Sequence, residues 1–370
     1  MFLRRINKVS QSIGEDVELL TALDALHSRQ VYDVCALSVQ GGNSTPEVPR
    51  ACDADQTFLY KPRSENAKHS TIQPASKMDI FELSEIVAGG DEAVTTEMQR
   101  NGLLRTDVHC QPCGRQLTQI RKKGSTTGFV FRCPGCRRKE ALTTGSFFAG
   151  SHLAMKKHLA LLYFWSCETS VAEATGHVGV SSATVVQWYL YFRDICSWKL
   201  LQAPIVLGGV GTVVQIDESV MVRSKYHRGR HRRQRWVFGV YDPQQRQGYI
   251  QLVPRRDATT LLPIIQRVVA PGTTVWSDEW RAYAGLAGLG YVHQTVNHSQ
   301  NFTDPVSGVC TNHVEAYWCA VKRRFKRMVG TASGMVPSYL DEHMWRERWG
   351  RTSKMAYVNL QKHISERYPL

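Results

Sequence analysis

No stretch of this sequence approaches the roughly 18 consecutive apolar residues that a membrane-spanning helix requires. The opening run MFLRRINKVSQSIGEDVE has no apolar core followed by a small-residue cleavage site, so it does not read as a secretory signal. A soluble, intracellular protein with no membrane partner is expected. Repeats are missing too, and residues 1–106 hold no site motif, only short helical-looking runs around the polar stretch GGNSTPEVPRACDADQ. Acidic residues become scarce further on. Residues 1–100 carry 10 Lys/Arg against 15 Asp/Glu, while residues 101–370 carry 36 against 17, a net of −5 followed by +19. Such a surface suits a polyanion such as nucleic acid, because each neutralised phosphate releases counterions. A solvated basic surface is the plain alternative. With 370 residues, 42% of them hydrophobic, the chain can build two or three domains.

What is present begins with cysteine. Cys110-x₂-Cys113 and Cys133-x₂-Cys136 lie 19 residues apart, the spacing of two knuckles that close a tetrahedral thiolate site. Residues 107–142 therefore read as a ribbon around structural Zn²⁺, and a reducing compartment disfavours the alternative of two disulfides. The other six of the 10 cysteines show no comparable spacing and are expected as buried free thiols. Lys122, Lys123, Arg132, Arg137, Arg138 and Lys139 decorate the ribbon, as phosphate contact would require.

Residues 150–202 form a helical region. Within it, 172–196 reads as a helix, a glycine-containing turn and a second helix capped by Ser181 or Ser182, a helix-turn-helix pattern. Its second helix has Arg193 but little other positive charge, which leaves a packing hairpin as the competing reading. The segment APIVLGGVG (203–211) reads as a linker.

Residues 210–350 then alternate. Strands are expected over 212–217, 235–242 and 248–254, a helix over 259–270, a strand over 273–278, a helix around 280–286, a strand over 291–296 and a long helix from about Asn312 to Val329. That order is the order of an RNase H-like α/β domain, and residues 351–370 are left as a tail.

Asp217 closes the first of these strands, Asp278 closes the fourth, and Glu315 sits in the first turn of the last helix. In an RNase H-like arrangement these three ends meet. Clustered acidic oxygens can hold two Mg²⁺ or Mn²⁺ ions roughly 3.5–4 Å apart, one activating an attacking oxygen and the other stabilising a leaving one. Each carboxylate also has a structural reading: an Asp at a strand end is commonly a turn residue, and Glu315, three residues after Asn312, could complete a capping box. Glu218 and Glu279 are adjacent to two of them, but neighbouring strand positions point to opposite faces.

The runs IDESVMVRSKYHRGRHRRQRWVFGVYD, LLPIIQRVVAPGTTVWSDEWRAYAGL, YVHQTVNHSQNFTDPVSGVCTNHVEAYWCAVKRRFKRM and YLDEHMWRER resemble the catalytic domain of Merlin-type DDE transposases and their bacterial insertion-sequence relatives. The resemblance covers about residues 108–350, and the ribbon ahead of the catalytic domain is similar as well. Merlin enzymes have an Asp, Asp, Glu triad with 36 residues between the last two, which is the count between Asp278 and Glu315. The resemblance implies these three, with Asp217, as the catalytic metal ligands, and cut-and-paste transposition as the activity. It also implies transposon-end and target double-stranded DNA as partners, and a homo-oligomeric synaptic complex.

Two basic clusters flank the triad in sequence: Arg223, Lys225, Arg228, Arg230, Arg232, Arg233 and Arg235 in one, and Lys322, Arg323 and Arg324, followed by Lys326 and Arg327, in the other. They are expected to guide DNA toward the metal ions, against the usual reading of such runs as solvated faces. A nuclear location is expected for a eukaryotic source and the cytoplasm or nucleoid for a bacterial one. The competing functions are a domesticated, non-enzymatic DNA-binding protein and a junction-resolving or repair nuclease.

Overall fold

Asp79 starts the first helix described, accepting from the backbone N–H groups of Phe81 and Glu82 while the Glu82 side chain accepts from the Asp79 N–H. The computed structural model describes residues 78–221, 235–297, 303–305, 308–328 and 331–370, all within one unit, Ser76–Leu370. Helices α1 (Ile80–Ala88) and α2 (Gly90–Arg100) occupy a stretch in which the sequence offers no site motif.

The cysteine-rich segment folds as the antiparallel sheet β1 (Thr118–Arg121), β2 (Phe129–Arg132) and β3 (Lys139–Glu140), over a small core of Val108, Leu117, Phe129, Phe131 and Leu142. Its β1–β2 loop is tied to both flanking helices. Thr95 Oγ1 donates to the Thr127 carbonyl at 3.0 Å, and the Met155 N–H donates to the Thr126 carbonyl at 2.8 Å.

Three helices follow: α3 (Met155–Ser166), α4 (Val171–Val178) and α5 (Ser182–Gln202). A Ser170/Glu173 capping box opens α4, Gly179 ends it at φ +62°, and Ser181 caps α5. Arg193, the expected cation of the second helix, is only 2% exposed; its guanidinium lies 4.0 Å over the Tyr339 ring and its Nε donates to Ser338 at 3.2 Å. The middle of α5 is therefore a packing surface.

Next comes a five-stranded sheet from β4 (Val213–Val220), β5 (Trp236–Asp242), β6 (Gln247–Val253), β7 (Thr274–Asp278) and β8 (Val292–Val296), in the order β6-β5-β4-β7-β8. The first three pair antiparallel, and β7 runs parallel to both β4 and β8. This is the RNase H-like arrangement. Helix α6 (Ala258–Val268) covers one face, while α7 (Asn312–Arg327) and α8 (Val336–Trp349) cover the other. The helix expected around 280–286 is absent. Two 3₁₀ turns, Arg281–Tyr283 and Ala287–Leu289, stand there, as the glycines at 285, 288 and 290 disfavour a continuous helix.

The segment 203–211 is docked rather than a free linker. Ile205 and Leu207 are buried in the α6-side core, Leu207 bridges Val269, and the Gly208 N–H donates to the buried Asp242 carboxylate at 3.0 Å. Residues 351–370 likewise are not a tail. Helix α9 (Ser353–Arg367) places Ala356, Tyr357, Leu360 and Ile364 in one core with Leu159, Trp165 and Phe192. Helix α8 ties this body to the sheet domain. Its fully buried Glu342 pairs with Arg324 of α7 and with Arg346, whose Nη2 and Nη1 donate to the Trp165 and Ser166 carbonyls at the end of α3. Burial opposes the Glu342 charge, but the two guanidinium groups overcome it and hold its carboxyl down at about 2. No described helix is long and apolar enough to cross a membrane.

His158 lies inside the helical core between Phe148 and Trp188, with ring centroids 5.0 and 4.3 Å away, and burial depresses its pKa to about 3. The unfolded chain then binds the proton first. Stability contributed by the neutral ring is complete above about pH 6.5 and is lost as pH falls toward 3, by up to about 1.4 kcal/mol per pH unit. Urea unfolding of wild type and His158→Gln at several pH values checks this. The expected difference is a shallower stability slope for the variant below pH 6.5, and parallel slopes would refute it.

Candidate active site

Alternation along β4 sorts its side chains. Val214 and Ile216 enter the α6-side core, so Gln215, Asp217 and Ser219 face α7. Parallel pairing of β4 with β7 runs from Val213↔Thr274 to Gln215↔Trp276, two residues short of Asp217 and Asp278. Both carboxylates are half-buried, but only Asp278 ends its strand: β4 continues three residues past Asp217 to Val220, kept in the sheet by its antiparallel pairing with β5, so the expectation that Asp217 closes the first strand is corrected.

Three polar contacts lock α7 to that face. Gln215 Oε1 accepts the backbone N–H groups of His313 and Val314 at 2.9 and 3.0 Å, satisfying two of the donors that every helix start leaves open. Asp217 Oδ2 accepts the indole N–H of Trp318 at 3.0 Å, and Ser219 Oγ accepts from Lys322 Nζ at 2.5 Å. Alternate β4 positions thus meet successive turns of α7, whose first turn carries Glu315. No capping box forms. Thr311 is the N-cap residue without a side-chain cap bond, and its hydroxyl instead donates to Glu315 Oε1 at 3.2 Å. Glu315 is exposed.

Room for these contacts is made by two strand glycines. A Cβ at Gly239 would lie 2.6 Å from the Trp318 ring, and one at Gly248 would lie 2.2 Å from Tyr317. Trp318 is consequently seated over β5 with only 4% of its surface exposed. Gln215 and Trp318 are members of the candidate site that the sequence reading missed, although glycines inside expected strands signal a close approach.

Burial pushes the Asp217 carboxyl up to about 6, with Asp278 and Glu315 adding to the shift, while the Trp318 N–H and the Glu218 backbone N–H oppose it. The three carboxylates thus share one field of negative charge. Their oxygens do not converge as closely as the cysteine sulfurs described below. Glu218 faces the other way, onto the α6 side, where Tyr283 donates to its carboxylate and Arg256 Nη1 stands 3.9 Å away. Burial raises its pKa to about 7. Glu279 is exposed, and Asp278 Oδ1 accepts the Trp280 backbone N–H at 3.0 Å.

The basic residues separate. Arg223, Lys225, Arg228, Arg230, Arg232 and Arg233 lie outside the described residues, while Arg235 opens the way into β5. Arg323 is exposed, Lys322 is held at Ser219, and Arg324 is turned inward to Glu342, away from any partner in solvent.

The four ribbon cysteines come together. Cys110 and Cys136 sulfurs are 3.4 Å apart, Cys113 and Cys133 sulfurs 3.3 Å, and all four lie within 4.8 Å of one another. A tetrahedral site with Zn–S bonds of about 2.3 Å needs sulfurs about 3.8 Å apart, so the donor set fits zinc. Each knuckle turns in the same way: the residue after its second cysteine, Gly114 or Arg137, takes positive φ, and its N–H donates to the carbonyl of the first cysteine. The six ribbon cations, Lys122, Lys123, Arg132, Arg137, Arg138 and Lys139, are all exposed.

The Asp217–Trp318 bond has a measurable consequence. Trp318→Phe keeps a ring over Gly239 and removes the donor, freeing the Asp217 carboxylate to rotate. DNA affinity is expected to hold, while the cleavage rate falls about 10- to 100-fold and more Mn²⁺ is needed for half-maximal rate. Wild-type rate and metal requirement in the variant would show that the indole N–H has no part in holding Asp217.

An ISXO2-like transposase domain matches residues 209–348, which contain Asp217, Asp278 and Glu315. An uncharacterized transposase-like protein of Haemophilus influenzae is 32% identical over 98 residues, covering 26% of this chain and 78% of that protein. Among solved structures, the catalytic core domain of BIV integrase aligns over 35% of this chain and 80% of that chain, at 15% identity and a TM-score of 0.24. The simian T-cell lymphotropic virus intasome in complex with PP2A regulatory subunit B56 gamma aligns over 50% and 67%, at 15% identity and a TM-score of 0.26. Neither score adds to what the strand order shows. On the sequence matches, the chain belongs to the insertion-sequence-type transposases, with an ISXO2-like transposase domain matched over residues 209–348.

Proposed function

We propose that this protein is a DNA transposase of the Merlin type, cutting the phosphodiester at the ends of its element and joining the freed 3′-hydroxyl to target DNA. The observation that supports this most is that Asp217 and Asp278 lie on adjacent parallel strands while the Gln215 cap seats the first turn of α7, which carries Glu315, on the Asp217 side of β4. Three hard oxygen donors suit Mg²⁺ or Mn²⁺. Asp217, Asp278 and Glu315 would hold two such ions, which would activate an attacking oxygen and stabilise a leaving one.

The chain's own contribution is positional. Trp318 orients Asp217, Gln215 sets the start of α7 and with it Glu315, and the sheet carries the two Asp on neighbouring parallel strands. The cysteine cluster holds zinc as a structural ion, and the exposed ribbon cations take DNA phosphates without reading sequence. An element has two ends, so two copies act together in a synaptic assembly.

Incubating the full chain with a duplex that carries the DNA flanking its gene tests this reading. Mg²⁺ or Mn²⁺ is expected to support cutting of both strands at the element boundary, and EDTA to stop it. Nicking and joining of one strand alone would refute the cut-and-paste assignment. Specific binding without cutting in either metal would favour a non-catalytic DNA-binding descendant.

A further inference from the structure

Two residues beyond Asp278 the chain presents Trp280, 39% exposed. It is held from several sides. Its backbone N–H donates to Asp278 Oδ1 at 3.0 Å, and its indole N–H donates to the Arg256 carbonyl at 2.9 Å. The Arg256 guanidinium lies 4.9 Å from the Trp280 ring centroid and 3.7 Å from that of Trp236, the first residue of β5. Arg256 itself is set by Glu218, whose carboxylate stands 3.9 Å away and also receives the Tyr283 hydroxyl. A cation between two indoles is a favourable arrangement, and it makes Trp280 rigid while leaving much of the ring in water.

We propose that Trp280 is the stacking platform for an unpaired nucleobase of the DNA strand beside the scissile phosphodiester, with Arg256 beneath it. This rests on the transposase reading above. The indole N–H is already satisfied inside the protein, so the ring has no directional donor left and offers an aromatic surface. Such a surface recognises any flat base and cannot read sequence by hydrogen bonds. Paired bases inside a duplex hide their faces against one another; a base at a frayed or displaced strand end does not. The hydrogen bond to Asp278 puts the platform just past the end of β7, bordering the proposed cutting site from the α6 side of the sheet. A turn that served only to end β7 has no need of an exposed indole braced by a cation.

The test compares binding of the full chain, without divalent metal, to a blunt duplex of its element end and to the same duplex with three unpaired nucleotides at the boundary. Wild type is expected to prefer the tailed DNA. Trp280→Ala should lose about 5- to 150-fold in affinity for the tailed DNA and keep its affinity for the blunt one, while Trp280→Phe retains most of the preference. With 2-aminopurine in the tail, quenching on binding should occur with wild type and vanish with Trp280→Ala. Equal binding of both DNAs by wild type, or an unchanged preference in a Trp280→Ala variant that melts like wild type, would overturn the platform and leave the transposase reading standing. A wild-type chain that binds neither DNA would overturn both.

Discussion

Asp217→Asn, Asp278→Asn and Glu315→Gln should each lower strand cleavage and strand transfer by about a thousandfold or more while leaving DNA binding intact. Each replacement preserves shape and removes a charge that would hold a divalent ion. Because the three act on one transition state, the losses should not add, and any single variant should be nearly as inactive as the triple. Gel assays of cleavage and anisotropy measurements of binding check both halves. Glu279→Gln is the suitable control, since Glu279 is exposed. Glu218 is a poor one: although it faces away from Asp217, its substitution disturbs the buried Tyr283 hydroxyl and Arg256. Near-normal cleavage by Glu315→Gln in Mg²⁺ would remove Glu315 from the metal site.

The ribbon carries the second large effect. Cys113→Ser or Cys136→Ser should release one zinc ion per chain and unfold residues 107–142, since structural zinc contributes apparent binding free energies of about 10–16 kcal/mol to folding. So small a core, with Val108, Leu117, Phe129, Phe131 and Leu142 as its main apolar members, has little else to hold it. Metal analysis and limited proteolysis read the outcome. Loosening should extend to α2 and the start of α3 through Thr127 and Thr126, and stop short of the sheet domain. Purified wild type without zinc and with oxidised cysteines would sink the assignment.

Much of this was legible because it was local. Knuckle spacing announces a cysteine cluster, and period-two hydrophobicity finds β5 to β8 within one residue and β4 with its end three residues short. The Asp79/Glu82 capping box was equally local and could have been read in the first third of the chain. What stayed hidden depends on distant partners. Arg324 and Arg193 look like free cations until Glu342, Ser338 and Tyr339 arrive from α8. Residues 203–211 look like a linker because their glycines are visible and their docking against Val269 and Asp242 is not. The 3₁₀ turns after β7 were misjudged by weighting the apolar spacing of 280–286 above Gly285 and the glycines that follow it. In the candidate site, Asp217, Asp278 and Glu315 were chosen from expected element ends, although β4 runs on to Val220, whereas Gln215 and Trp318 emerge only once α7 lies on β4.

The Gln215 cap also says which insertions and deletions the catalytic domain can absorb. The start of α7, and with it Glu315, is seated from β4 by a side chain 100 residues upstream in the sequence, while Thr311 just ahead of the helix donates to the Glu315 carboxylate. The separation of 36 residues between Asp278 and Glu315 is then not the sole determinant of where the carboxylate sits. A change of length ahead of Cys310 is expected to leave Glu315 in place. A single residue gained or lost between His313 and Trp318 would instead rotate the remaining helix by about 100° and part Trp318 from Asp217.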